Sequence, residues 1–245
     1  AYRNRASAYE AIQQFDNAQA DYDMAVSIQP LEAASYVQRA IFYDKNNLDL
    51  EQALADYNMA IQVDPLSDLA FAARGIYYGF QGDLWSAKLD LEQAVALNPF
   101  NADAYYNLAA IDGELGDLKA ALDAYNHVIT IGGDKAYGAL LYRPQLYLFQ
   151  GKYAAAIEDL NNFLAGNPSQ YFSIVAMIQL AAANAGLGSY DVAYGFLTTA
   201  QLYDADFTAQ YYLYGSGYRI IDSQLIQLQQ AADANPRDMD AQFQL

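Results

Sequence analysis

Residues 36–65, YVQRAIFYDKNNLDLEQALADYNMAIQVDP, decide the fold of this chain. Tyr36, Arg39, Ala40 and Tyr43 mark its first half, Ala53, Tyr57 and Ala60 its second, and Pro65 closes it. Spacings of three and four put the small and aromatic residues of each half on one face of a helix. The small residues let two helices approach closely, and the aromatic rings fill the space beside them. Proline cannot continue a helix, so Pro65 marks where the second helix stops. The stretch therefore reads as an antiparallel helix pair.

The same pattern recurs along the chain. Pro30, Pro65 and Pro99 are spaced by 35 and 34 residues, and Pro168 and Pro236 by 68, two periods of 34. Ala18, Tyr22 and Ala25 precede Pro30, and Ala87, Leu91 and Ala94 precede Pro99. The first-half signature returns as Tyr2, Arg5, Ala6, Tyr9 and as Phe71, Arg74, Gly75, Tyr78. A weaker copy is Tyr105, Leu108, Ala109, with Asp112 in place of the second tyrosine. Between the halves lie turns at Gly82, Gly116, Gly151 and Gly188. Glycine takes the left-handed conformation that ends a first helix, and Asp117 or Ser189 is placed to cap the second. Self-similarity at this period is the mark of a solenoid.

These residues resemble the tetratricopeptide repeat family, whose pattern of small, aromatic, alanine and proline positions they follow. The resemblance implies an all-α fold: a right-handed superhelical solenoid of about seven antiparallel helix pairs forming one array over 1–245. Repeats fall near 1–32, 33–67, 68–101, 102–136, 137–170, 171–207 and 208–238, the last degenerate, with 239–245 the start of a truncated repeat. The fourth has Gly133 instead of proline and Val128 instead of alanine. The fifth puts Pro144 where the small residue belongs, after Gly132, Gly133 and Gly138, which predicts a kinked or late-starting first helix and a bend nearby.

In this family the first helix of each repeat lines a concave groove. Carried onto this sequence, the inward positions include Val37, Ile41, Ile76, Phe80, Tyr106, Leu141, Gln145, Phe149, Ile178 and Tyr212. The resemblance makes these the candidate peptide-binding residues. The set is mostly apolar, suited to an extended or helical peptide with apolar anchors, with basic residues meeting an acidic rim. Some relatives grip a terminal carboxylate with Lys, Arg and Asn. Only Arg3 with Asn4 resembles that arrangement, and one repeat does not make a clamp. Two alternatives stay open: the inward residues pack on each other, or the chain serves as a structural spacer or self-association module of a larger protein.

Composition narrows the function further. Twelve basic against 29 acidic residues give a net charge of −17, which repels phosphate backbones and anionic lipid surfaces. Nucleic acid and membrane are thereby disfavoured as partners, and a basic or apolar protein or peptide is favoured. The acidity also has a plainer reading, as the solubiliser of a tyrosine-rich chain. There is no cysteine and a single histidine, His127, so the usual zinc sites and Cys-His nucleophile pairs are not available. His127 reads as a surface residue, and the sets Asp16, Asp21, Asp23 and Asp112, Glu114, Asp117 as solvated faces and caps. No cofactor, metal site or enzymatic activity is expected. The interval between Asp159 and Asp191 has no charge, but its apolar core, Ile174 to Leu187, is too short to span a bilayer and reads as a buried helix. The start at Ala1, without methionine or a signal-like stretch, reads as that of a piece of a larger protein.

Overall fold

The computed structural model describes residues 1–204. Twelve helices and no strand occur among them. The seventh repeat, the tail after it and Tyr212 lie outside the described residues. The chain divides into two compact units, one of residues 1–131 and one that begins at Gly132.

The first unit holds α1 (Tyr2–Ala11), α2 (Phe15–Ile28), α3 (Ala33–Lys45), α4 (Leu50–Val63), α5 (Asp68–Phe80), α6 (Leu84–Leu97), α7 (Ala102–Glu114) and α8 (Leu118–Ile131). Each odd-numbered helix packs on the helix that follows it. The first helices of successive pairs also touch, α1 on α3, α3 on α5 and α5 on α7, so they form a continuous layer. Close approach depends on Ala6, Ala18, Ala40, Ala53, Ala87 and Ala121, all fully buried. Around them sit the rings of Tyr22, Phe42, Tyr57 and Tyr77, with Tyr22 and Phe42 centred 5.2 Å apart and Tyr57 and Tyr77 5.6 Å apart. Burial of a ring such as Phe42 contributes about 2 kcal/mol.

The turns follow from local chemistry. Gly82 and Gly116 take φ of 80° and 84°, and where the first two pairs lack glycine, Gln13 and Asn47 adopt the same left-handed backbone. Asp49, Ser67, Asp83, Asn101 and Asp117 each accept a backbone N–H from the first turn of the following helix. Pro30, Pro65 and Pro99 lie just beyond the ends of α2, α4 and α6.

The second unit holds α9 (Gly133–Phe149), α10 (Tyr153–Ala165), α11 (Gln170–Gly186) and α12 (Tyr190–Tyr203). Of the two expected effects of Pro144, a late start is not seen: α9 begins directly after Gly132 and runs on as one helix with Pro144 inside it. Proline leaves the Leu140 carbonyl without its usual helix donor. One residue on, the Leu141 carbonyl accepts Nε2 of Gln179, a fully buried side chain of α11. Ser189 makes no side-chain cap, unlike Asp117. The uncharged α11 is buried along most of its length, and no described helix is long and apolar enough to cross a membrane. Two glycines are dictated by packing, because the Tyr137 ring lies against Gly166 and the Tyr153 ring against Gly186.

Candidate interaction surface

Ion pairs between the two helices of a pair hold the first-helix layer in place. Arg5 donates to Asp21 at 2.6 and 2.7 Å, Arg39 to Asp56 at 2.7 and 2.8 Å, and Arg74 to Asp90 at 2.7 and 2.8 Å. In the second unit Arg143 donates to Asp159 at 2.8 and 2.6 Å. Two of these forks also reach the preceding pair: Nη1 of Arg39 donates to Asp23 and Nη1 of Arg74 to Asn58, both at 2.7 Å. Where the arginine is missing, its partner is missing too. The corresponding residues are Leu108 and Ala124 in α7 and α8, and Leu180 and Phe196 in α11 and α12. A buried carboxylate stripped of its cation costs several kcal/mol, so each site is either fully charged or fully apolar.

Sequence reasoning missed these acids. Asp21 and Asp112 are buried rather than solvated, Asp21 on Arg5 and Asp112 on Lys88 Nζ at 2.6 Å. The Arg5 guanidinium holds the Asp21 carboxyl below the usual carboxylate range, and Asp112 pushes the Lys88 amine up. A readable signal was present: Asp21, Asp56, Asp90 and Asp159 each stand immediately before the large residue of a second helix, sixteen or seventeen residues after an arginine. Asp16, Asp23, Glu114 and Asp117 are exposed, as expected.

The candidate groove residues divide by burial. In the first unit Phe80 is 81% and Ile41 40% exposed, Ile76 and Tyr106 are half-buried, and Val37 is buried. These five lie on α3, α5 and α7, the first helices that pack side by side. The Tyr106 ring meets that of Tyr125 edge-on at 5.8 Å. In the second unit Phe149 is exposed and Gln145 half-buried, but Leu141 and Ile178 are core residues, 2% and 0% exposed. Leu141 packs with Leu160, Val175 and Leu180, and Ile178 with Leu148 and Ala182. A ligand would not reach either without displacing the core.

Acidic groups border the first-unit layer. Lys45 Nζ and Asn46 Nδ2 reach from α3 to Glu10 on α1, at 3.1 and 3.3 Å. Asp44 is half-buried beside Tyr57; burial pushes its carboxyl up, and a hydrogen bond with the Tyr57 hydroxyl opposes that shift. Glu114 ends α7 in solvent. His127 is exposed, with Nε2 3.1 Å from the Pro99 carbonyl and its ring 4.2 Å from that of Tyr105.

A family model described as tetratricopeptide repeat matches residues 1–30 and 102–131, the first and fourth helix pairs. The chain carries tetratricopeptide repeats at these two pairs. Tetratricopeptide repeats form a scaffold type for protein–protein interaction rather than an enzyme fold. Similar proteins include the DnaJ homolog subfamily C member 3 of Rattus norvegicus, 36% identical over 103 residues, covering 42% of this chain and 20% of that protein. Its Homo sapiens counterpart is 35% identical over 128 residues, 47% of this chain and 25% of that one. The chain thus spans a quarter or less of the length of these relatives. Among solved structures, the tetratricopeptide repeat protein YrrB, described as having an unusual peptide-binding site, is similar with a TM-score of 0.65 at 20% identity, over 78% of this chain and 96% of that one. The pilF protein of Pseudomonas aeruginosa gives 0.71 at 15% identity, over 85% and 96%. At these identities the likeness is one of fold.

Proposed function

We propose that the first unit binds a segment of a protein partner on the layer formed by α3, α5 and α7, with Ile41, Ile76, Phe80 and Tyr106 as its contacts. The observation that carries this reading is Phe80, a large ring left in water at the end of α5, in a layer whose other large rings are buried or half-buried. Exposed apolar side chains on a rigid helical layer suit an extended or helical ligand with apolar anchors. The acids at its border favour Lys or Arg beside those anchors. YrrB, a peptide binder on the same fold, supports the same reading. The second unit fits a structural role better, since Leu141 and Ile178, inward positions by the family pattern, fill its core.

Selection of random peptides displayed on phage against the whole chain tests the proposal. The expected peptides share apolar anchors with Lys or Arg nearby, and Ile41→Ala with Phe80→Ala weakens them by about tenfold or more, ~1.4 kcal/mol. Both side chains are solvent-exposed, so the variant is expected to keep its helix content. Equal affinity for the variant, or no enriched peptide, would reject the groove and favour the spacer reading.

A further inference from the structure

We infer that the outer face of α6 carries a second docking surface, for a cationic amphipathic segment of another protein. Trp85, the only tryptophan of the chain, and Leu89 stand one turn apart at the start of α6 and are 72% and 68% exposed. The core does not need them, because α6 buries Ala87, Asp90, Leu91 and Ala94. The corresponding positions are Asp16 and Ala20 in α2, Glu51 and Ala55 in α4, and Lys119 and Asp123 in α8. Every other second helix of this unit thus puts charged or small residues there, and α6 departs from the pattern with two large apolar side chains. Leaving each in water forgoes about 2 kcal/mol of burial, with no gain to the fold.

Charge selects the occupant. Glu92 continues the stripe one turn beyond Leu89, with its side chain 53% exposed. The nearest cation on the helix, Lys88, is held by Asp112 at 2.6 Å and stands 3.8 Å from Glu92, so one positive charge serves two carboxylates. Of the seven cations of the first unit, Arg3, Arg5, Arg39, Lys45, Arg74 and Lys88 are in ion pairs, which leaves Lys119. A second copy would bring another chain of net charge −17 against this acidic face. A segment with apolar anchors flanked by Lys or Arg satisfies both features, and its cations gain further from the face of the indole.

Trp85 reports its own environment, since no other residue emits as indole. The probe is a fluorescein-labelled amphipathic peptide of leucine and lysine, compared with its leucine and glutamate counterpart at about 0.15 M salt, where distant charges are screened. The expected result is a blue shift of Trp85 emission with the lysine peptide alone. In peptide anisotropy with the groove removed by Ile41→Ala and Phe80→Ala, adding Trp85→Glu with Leu89→Ala, the residues α4 already carries, weakens binding by about tenfold or more. Ile41→Ala with Phe80→Ala leaves the Trp85 blue shift unchanged, because that shift reads only peptide seated on α6, which separates this surface from the groove. Absence of a shift, equal binding by the α6 variant, or the same response to the glutamate peptide would overturn the inference. So would a chain whose mass doubles with concentration and whose α6 variant stays monomeric, because the occupant would then be a second copy.

Discussion

Arg39 donates to Asp56 from two nitrogens and to Asp23 from a third, so one side chain ties α3 to the helix after it and to the helix before it. Asp56 is almost wholly buried, and its charge is tolerable only because the guanidinium faces it. Arg39→Leu alone is expected to destabilise the chain by about 3 kcal/mol. Adding Asp56→Ala should recover most of that loss, because leucine and alanine are what Leu108 and Ala124 place at the matching site. Urea denaturation of the two single variants and the double variant checks this; additive losses would show that the charges do not compensate each other. This pairing was not legible along a single helix face. Whether an aspartate is solvated or buried depended on an arginine sixteen or seventeen positions away on another helix, which helical periodicity does not display.

At the scale of the elements, much of the fold was open to reading. The alanine and aromatic spacings predict the helix pairs, the prolines predict where α2, α4 and α6 stop, and glycine predicts the left-handed turns at Gly82 and Gly116. Inward positions were legible as positions but not as exposures. Val37, Leu141 and Ile178 occupy places the family pattern directs inward, yet large neighbours close over them, Leu160 and Val175 on Leu141 for example. The end of α11 is constrained in the same way by a contact that the chain pattern does not announce. Gly186 leaves no room for a Cβ beneath the Tyr153 ring. Gly186→Ala is expected to cost the second unit about 1–3 kcal/mol through overpacking, with part returned by the better helix propensity of alanine. Thermal unfolding followed by circular dichroism measures it; an unchanged midpoint would mean that the ring moves aside freely.

For the molecule as a whole, its acidity and its exposed rings bear on the same question. Most cations of the first unit are consumed inside it by ion pairs, so the surface left to a partner is acidic with apolar points at Phe80 and Ile41. The second unit turns its corresponding side chains at Leu141 and Ile178 into core. The proposed function places binding in the first unit and a structural role in the second, and its most direct measurement is hydrogen exchange of the whole chain with and without the tightest peptide selected against it. The account predicts slower exchange in α3, α5 and α7 on binding, with α10 and α12 unchanged. Protection confined to the second helices α2, α4 and α8, or to the second unit, would contradict it.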